Sequence, residues 1–426
     1  MQKPSLLMRH HRSYSLRRLP RSSAFRILVL LYVLLDSLHC LSLYRYQTAT
    51  ITAPPPPRNT KRVYIASQHW NDARLLREHW NNALVALVQE LGIENVFVSI
   101  YESGSYDDSK AVLGELDTVL EDLQIRRSIQ LSETSHADEI AQQPTEHGWV
   151  KAPDGRDYKR RIPFLASIRN RVLQPLERLT AEGEHFDIIL FLNDVVFTPQ
   201  DVLRLLDTNG GKYAAACSID FKKPPQFYDT FALRDSSGHE AVVQTWPYFR
   251  SYTSRHAAER YSSIPVASCW NGMVAMPIEP FVASPPLRFR GIPDSLASSH
   301  VEASECCLIH ADNPLSLTQG VFLNSNVRVG YNGSSYDALH LPDAIMSPFQ
   351  ILLSVWWSRI IRLITTPLFK ERIICSTDAA ASLNRLTLVD SLTGRASWSA
   401  PSITDLSPQQ YVFAQRLRLD SNTIEN

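Results

Sequence analysis

From residue 61 onward, short apolar runs alternate with stretches in which apolar residues recur every three or four positions. KRVYIAS (61–67), NVFVSIYESG (95–104) and RRSIQLS (126–132) are rich in β-branched and aromatic residues and read as strands. Between them, NDARLLREHWNNALVALVQELG (71–92) puts Leu75, Leu76, Trp80, Leu84, Leu87, Val88 and Leu91 at helical spacing. Asn71 or Asp72 can cap that helix and Gly92 can end it. SKAVLGELDTVLEDLQ (109–124) predicts a second helix. Strand–helix alternation predicts βαβ units and a parallel sheet, hence an α/β fold. The pattern continues with a helix over 161–179, a strand through HFDIILFLNDVVF, a helix over 199–208 with Pro199 in its first turn, and a strand over 211–221. Residues 133–157 are polar and read as loop, and 222–265 are loop-rich.

The ends of the chain have a different texture. ILVLLYVLLDSLHCLSLY (27–44) is long enough to cross a bilayer, and residues 1–26 before it carry Lys3, Arg9, Arg12, Arg17, Arg18, Arg21 and Arg26 and no acid. The positive-inside bias places that tail in the cytoplasm and the rest of the chain across the membrane. Asp36 and His39 interrupt the apolar run, and a cleaved signal peptide with an apolar region over 27–35 is the rival reading. Residues 45–60, with four consecutive prolines, form an extended stem, and the globular domain follows over 61–345. The extension 346–426 opens with an apolar helix over 349–369. Ser354, Ser358 and Arg362 draw a polar line along it. It either docks on the globular domain or lies at a membrane surface, flanked by Trp356 and Trp357.

Composition narrows the function. Lys+Arg and Asp+Glu are 43 each, so there is no basic footprint for nucleic acid. Six cysteines in 426 residues, with no CxxC pair, exclude a disulfide scaffold and a zinc ribbon. One or two disulfides remain open. Neither GxGxxG nor GxxxxGKS occurs, so a nucleotide would not be held by the dinucleotide or P-loop route. The sequon at Asn332 suits a luminal location.

One interruption carries chemistry. The apolar run Ile188–Leu192 stops at Asn193-Asp194 and resumes at Val195. A carboxylate at the carboxyl end of a parallel strand stands where open α/β sheets bind ligands. Hard divalent cations take carboxylate and phosphate oxygens, and such a cation offsets the charge on a departing diphosphate. An Asx turn accounts for the same two residues.

Taken in order, the blocks NVFVSIYESGS, IRNRVLQPL, FLNDVVF, FYDTFALRD, SCWNGMVA and ASECCLIHAD resemble the cryptococcal α-1,3-mannosyltransferase family of capsule-associated fungal glycosyltransferases. The resemblance covers roughly residues 61–345. It implies a GT-A-like, Rossmann-type, mostly parallel sheet flanked by helices. It implies a GDP-mannose donor, a mannose-containing glycan acceptor, Mn²⁺ or another divalent cation, and α-1,3 transfer with retention. It also implies a single-pass type II protein of the Golgi or another secretory membrane. The family's Asp-x-Asp is degenerate here, Leu192-Asn193-Asp194, which keeps open a role in polysaccharide assembly or export without catalysis. On this resemblance Asp194 and His310 would bind metal, and Ser67, Glu102, Arg169, Asn170 and Asn193 the donor. Trp270, Asn271 and Gly272 would meet the acceptor, and Asp229 and Glu305 would be catalytic. Ordinary roles compete at these positions: loop caps at Ser67 and Glu102, a core Trp270, a partly buried His310.

Overall fold

A computed structural model of the chain describes residues 23–49, 61–151, 155–260, 263–297, 302–341 and 345–365. Twelve strands are present among them: β1 (Val63–His69), β2 (Val96–Glu102), β3 (Arg127–Leu131), β4 (Trp149–Lys151), β5 (Asp157–Lys159), β6 (Ile188–Leu192), β7 (Ala215–Lys223), β8 (Gln226–Phe227), β9 (Arg234–Asp235), β10 (Ser263–Ser268), β11 (Met273–Pro277) and β12 (Val321–Gly330). Ten of them form one sheet in the order β3-β2-β1-β6-β11-β7-β12-β10-β9, with β8 paired to β7. β4 and β5 make a separate hairpin. The half β3-β2-β1-β6 is parallel throughout. β11 then runs antiparallel to both β6 and β7, and β12 is parallel to β7. This is the Rossmann-type, GT-A-like arrangement the family resemblance implies, and its parallel half is what the alternating pattern predicts.

Both faces of the sheet are covered. Tyr64, Phe97, Ile189 and Phe191 enter one apolar cluster, and Val63, Ile65, Val98, Ile188 and Leu190 enter the other. Burial on both sides is why β1, β2 and β6 read as nearly continuous apolar runs.

The predicted helix over 71–92 is one helical stretch from Ala73 to Leu91, with a π-type turn at Leu76–Trp80, ended by Gly92 at φ 88°. The segment 161–179 is two helices, Arg161–Arg171 and Gln174–Ala181. Pro175 has no amide to continue the first and fits the first turn of the second. The expected loop 133–157 contains a short helix, His136–Ala141, and most of the β4–β5 hairpin. β12 is absent from the sequence reading. Its centre, Asn324-Ser325-Asn326, looks like a turn, and the register with β7 shifts there, between Leu323 and Arg328.

At the ends, one apolar helix runs Ser23–Ala49, and its segment Ser23–Leu43 is long and apolar enough to cross a membrane. The C-terminal helix is Pro348–Thr365. The tail 1–22, stem residues 50–60 and residues 366–426 lie outside the described residues.

Candidate active site

The parallel register sets Ser67 opposite Leu192 and His69 opposite Glu102, so the carboxyl ends of β1, β2 and β6 open on one edge. Because β11 is antiparallel, its beginning reaches the same edge. There the Asn193-Asp194 turn is locked by backbone bonds. The Asn193 amide donates to Gly272 O (3.0 Å), and Asn193 O accepts from the Val195 amide (2.9 Å) and from Trp80 Nε1 (3.2 Å). The Val196 amide donates to Gly330 O (2.7 Å). The π-type turn is what carries Trp80 at this point of its helix.

These bonds leave the Asp194 carboxylate to its own amide and to solvent. Its surface is exposed, although many protein atoms lie around it at longer range. The open surface decides whether an ion can reach it. The crowding, and then the nearby Asp72 charge, raise its pKa to about 6, while His69 and Arg169 pull it down.

A second acidic group lies alongside. Asp220, buried in β7, accepts from Asn271 Nδ2 (2.8 Å), the Asp229 amide (3.2 Å) and Tyr331 OH (2.9 Å). Burial holds its pKa above the ordinary carboxylate range. Asp229 is half-buried, and its Oδ1 accepts from the amides of Phe231 (2.8 Å) and Ala232 (3.3 Å). Burial and then the charge of Asp220 raise its pKa to about 7. The Tyr331 hydroxyl feels Asp220, Asp194 and Asp229 together, so these carboxylates share one neighbourhood.

Arg169 joins the two groups. Its Nε donates to Glu305 Oε1 (3.1 Å), and its guanidinium lies 4.7 Å from the Trp270 ring centre and 5.8 Å from that of Phe289. Among the described residues its two Nη nitrogens make no protein hydrogen bond.

Other sequence-predicted residues have different duties. Ser67 is buried and donates to Leu192 O (2.6 Å), so it ties β1 to β6 instead of facing a donor. It also lies 2.9 Å from His69 Nε2, whose Nδ1 is 2.6 Å from Asp72 Oδ2. Asn170, expected at the donor, spends both ends of its amide on the Phe289 backbone (2.8 and 3.0 Å). Trp270 and Asn271 are buried, and Gly272 with them. They form the floor of the site, where the sequence reading had them meet the acceptor. Gly272 sits at φ 90°, and a Cβ there would come within 2.4 Å of Val329 Cγ2. Asn193 contributes backbone, not a side-chain contact, to the turn.

His310, expected as a metal ligand, lies apart from Asp194. It is buried in the helix Glu305–Asp312, its Nε2 is 2.7 Å from Cys269 O, and burial lowers its pKa to about 4. Its close companions are Cys217 and Cys269, which are bonded to each other as a disulfide. Thiolate ligands are thereby unavailable, and the ring is grouped with the disulfide instead of with Asp194. Glu102, buried at the end of β2, accepts from the Ser105 amide through Oε1, while Oε2 has no donor among the described residues.

Sequence reasoning missed Asp72, His69, Asp220 and Tyr331. Asp220 has a visible signal, a single carboxylate inside the apolar run AAACSIDF. Beside this edge a cavity of about 200 Å³ opens between Tyr101 and Ser103 of β2, the β4–β5 hairpin and Phe164, Ser167 and Arg171. Arg160 clamps the hairpin over it through Asp294 (2.5 Å) and Glu302 (3.0 Å).

Residues 62–312, more than half of the chain, match the family model described as cryptococcal mannosyltransferase 1. The chain belongs to this mannosyltransferase family. The match spans every carboxylate above and Arg169, and stops short of Tyr331. No curated protein sequence matches it. Among solved structures, it is similar to the mannosyltransferase PcManGT from Pyrobaculum calidifontis in complex with GDP-Man and Mn²⁺ (12% identity, 86% of this chain and 91% of that one, TM-score 0.34). It is similar to S. aureus TarS with UDP (10%, 73% and 75%, TM-score 0.34) and to glucosyl-3-phosphoglycerate synthase from Mycobacterium tuberculosis with phosphoglyceric acid (13%, 69% and 80%, TM-score 0.31). As a member of this family the chain is a glycosyltransferase.

Proposed function

We propose that this mannosyltransferase-family chain transfers mannose from GDP-mannose to a mannose-containing glycan acceptor, in α-1,3 linkage with retention, with the help of a divalent cation such as Mn²⁺. The observation that carries the reading is the exposed Asp194 carboxylate beside the uncommitted Nη donors of Arg169. The donor, linkage and stereochemistry come from the family resemblance.

The donor set fits a hard cation. Asp72, Asp194, Asp220, Asp229 and Glu305 outnumber the basic groups Arg169 and His69 in this neighbourhood, and Asp194 is the open one. A cation held by Asp194 and the donor phosphates would offset the charge of the leaving diphosphate. Arg169 turns its Nη donors to the same phosphates, and Glu305 and the Trp270 face hold its guanidinium in place. Glu102 Oε2 offers an acceptor to the base or ribose end of the donor. Asp229 takes the acceptor hydroxyl's proton at Oδ2, the oxygen its two backbone bonds leave over; a pKa of about 7 suits that exchange near neutrality. Glu305, buried under Arg169, positions that side chain instead of touching the acceptor.

The helix Ser23–Ala49 supports a type II anchor in a Golgi or other secretory membrane, with 61–345 as the luminal catalytic domain. The Cys217–Cys269 disulfide supports an oxidising compartment. The test is GDP release from GDP-mannose by the detergent-solubilised full chain, with and without a mannose disaccharide. Acceptor-dependent release that needs Mn²⁺ and fails in Asp194→Ala supports the reading. A folded Asp194→Ala protein with normal turnover refutes the metal assignment, and no turnover with any nucleotide sugar favours an assembly role.

A further inference from the structure

The C-terminal helix Pro348–Thr365 is turned partly inside out. Its polar stripe faces protein: Ser354 Oγ lies 2.6 Å from Thr245 Oγ1 and donates to Trp246 O, Ser358 is buried, and Arg250 donates to Thr365 Oγ1 (2.8 Å). Its other side shows Phe349 (66% exposed), Leu353, Trp357, Ile360, Leu363 (79%) and Ile364 to the outside. In water a surface helix does the reverse, and a row of large apolar side chains this long marks an interaction surface.

The N-terminal helix says what covers it. Tyr32 packs edge-on against Trp356 with ring centres 6.2 Å apart, and Asp36 Oδ2 accepts from Arg359 Nη1 at 2.6 Å. One turn further, Cys40 and then Leu43 are buried against the domain. Contacts advance in the same direction along both helices, so the two run side by side over about 6 Å, at 1.5 Å per residue from Tyr32 to Asp36. At this level the remaining faces of the N-terminal helix, Leu34, Leu35, Leu38 and Leu41, are exposed. Whatever solvent surrounds those leucines also surrounds the outer row of the C-terminal helix. The pair also explains the charge inside the apolar run: Asp36 and Arg359 satisfy each other, as charges inside a membrane must.

We infer that helix 348–365 is a second membrane element, its outer row Phe349, Leu353, Trp357, Ile360 and Ile364 embedded in the lipid that surrounds the N-terminal helix, so that the catalytic domain is held on the bilayer at two places. This rests on the reading of the N-terminal helix as an anchor.

The test uses the full chain in phosphatidylcholine vesicles, with a nitroxide label on Leu353→Cys or Ile360→Cys and the unsubstituted chain as blank. Leu31→Cys reports on the anchor itself and Glu115→Cys, on an exposed helix of the domain, on water. Collisions with oxygen several-fold above those with a water-soluble nickel chelate are expected at 353, 360 and 31, and the opposite order at 115. Labels at 353 and 360 open to the chelate, with 31 still in lipid, overturn the inference and leave the anchor standing. Labels shielded from both reagents show the row covered by protein, a second copy or residues 366–426, and overturn it too. A label at 31 open to the chelate overturns the anchor reading and this inference with it.

Discussion

Arg169 Nε donates to Glu305 Oε1 across 3.1 Å while the guanidinium lies over the Trp270 ring, so one side chain is fixed from two directions before any ligand arrives. Preorganised donors are worth most where charge develops, and losing one costs on the order of 10²–10³ in turnover. Arg169→Ala is expected to lose that much kcat in a GDP-release assay. Glu305→Gln keeps the shape but weakens the tether, and is expected to raise KM for the donor more than it lowers kcat. Equal turnover in Arg169→Ala and the unsubstituted chain would remove Arg169 from the donor site.

Asp194→Asn changes one atom of an exposed side chain and leaves the backbone bonds of Asn193 and Val196 in place. The folded protein is therefore expected to melt within a few degrees of the unsubstituted chain. Mn²⁺ titration followed by electron paramagnetic resonance is expected to show at least a tenfold weaker site. Unchanged Mn²⁺ affinity would show that the cation is held elsewhere.

The pair Asp220 and Asp229 predicts how stability responds to pH. Burial and the mutual charge put the folded pKa of Asp229 at about 7, above its ordinary 3.8. The folded state therefore holds the proton more tightly than the unfolded state. The stability this gives is full below about pH 4 and is lost as pH rises through about 7. In chelator-treated protein, this pair is expected to lower Tm progressively across that window, and Asp229→Asn to flatten the slope. An unchanged slope in the variant would mean that Asp229 ionises as freely in the fold as in the unfolded chain.

Gly272→Ala is expected to destabilise the protein by about 1–3 kcal/mol, because the added Cβ meets Val329 and an L side chain is strained at a positive φ. Its carbonyl anchors the Asn193 amide, so activity is expected to fall more steeply than the melting temperature suggests. A variant with the parental melting temperature would show that β12 yields freely at Val329.

Much of this was legible beforehand. Continuous apolar runs and helical spacing fixed β1, β2, β6 and their connecting helices, because both faces of that half-sheet are buried. Asp194 stood out as a lone carboxylate at a strand end, and Arg169, Asp229 and Glu305 were named from the ordered blocks. Side-chain direction was not legible. Trp270, Asn170 and His310 sit in suggestive motifs, yet each is consumed by packing or by backbone bonds that come from distant segments: Phe289 for Asn170, Cys269 for His310. Asp220 joins the site through the sheet order, which places β7 near β6 only by inserting β11, and Asp72 joins it from the start of the helix after β1.

The lock on the Asn193-Asp194 turn also sets a schedule. Its bonds run forward to Gly272 and Gly330, which leave the ribosome long after the turn itself. A nascent chain that has completed β6 has the carboxylate but nothing to hold it in position. The donor chemistry proposed for Asp194 would therefore begin only once synthesis has passed β12, and a chain truncated before Gly330 is expected to be inert however well its first half folds.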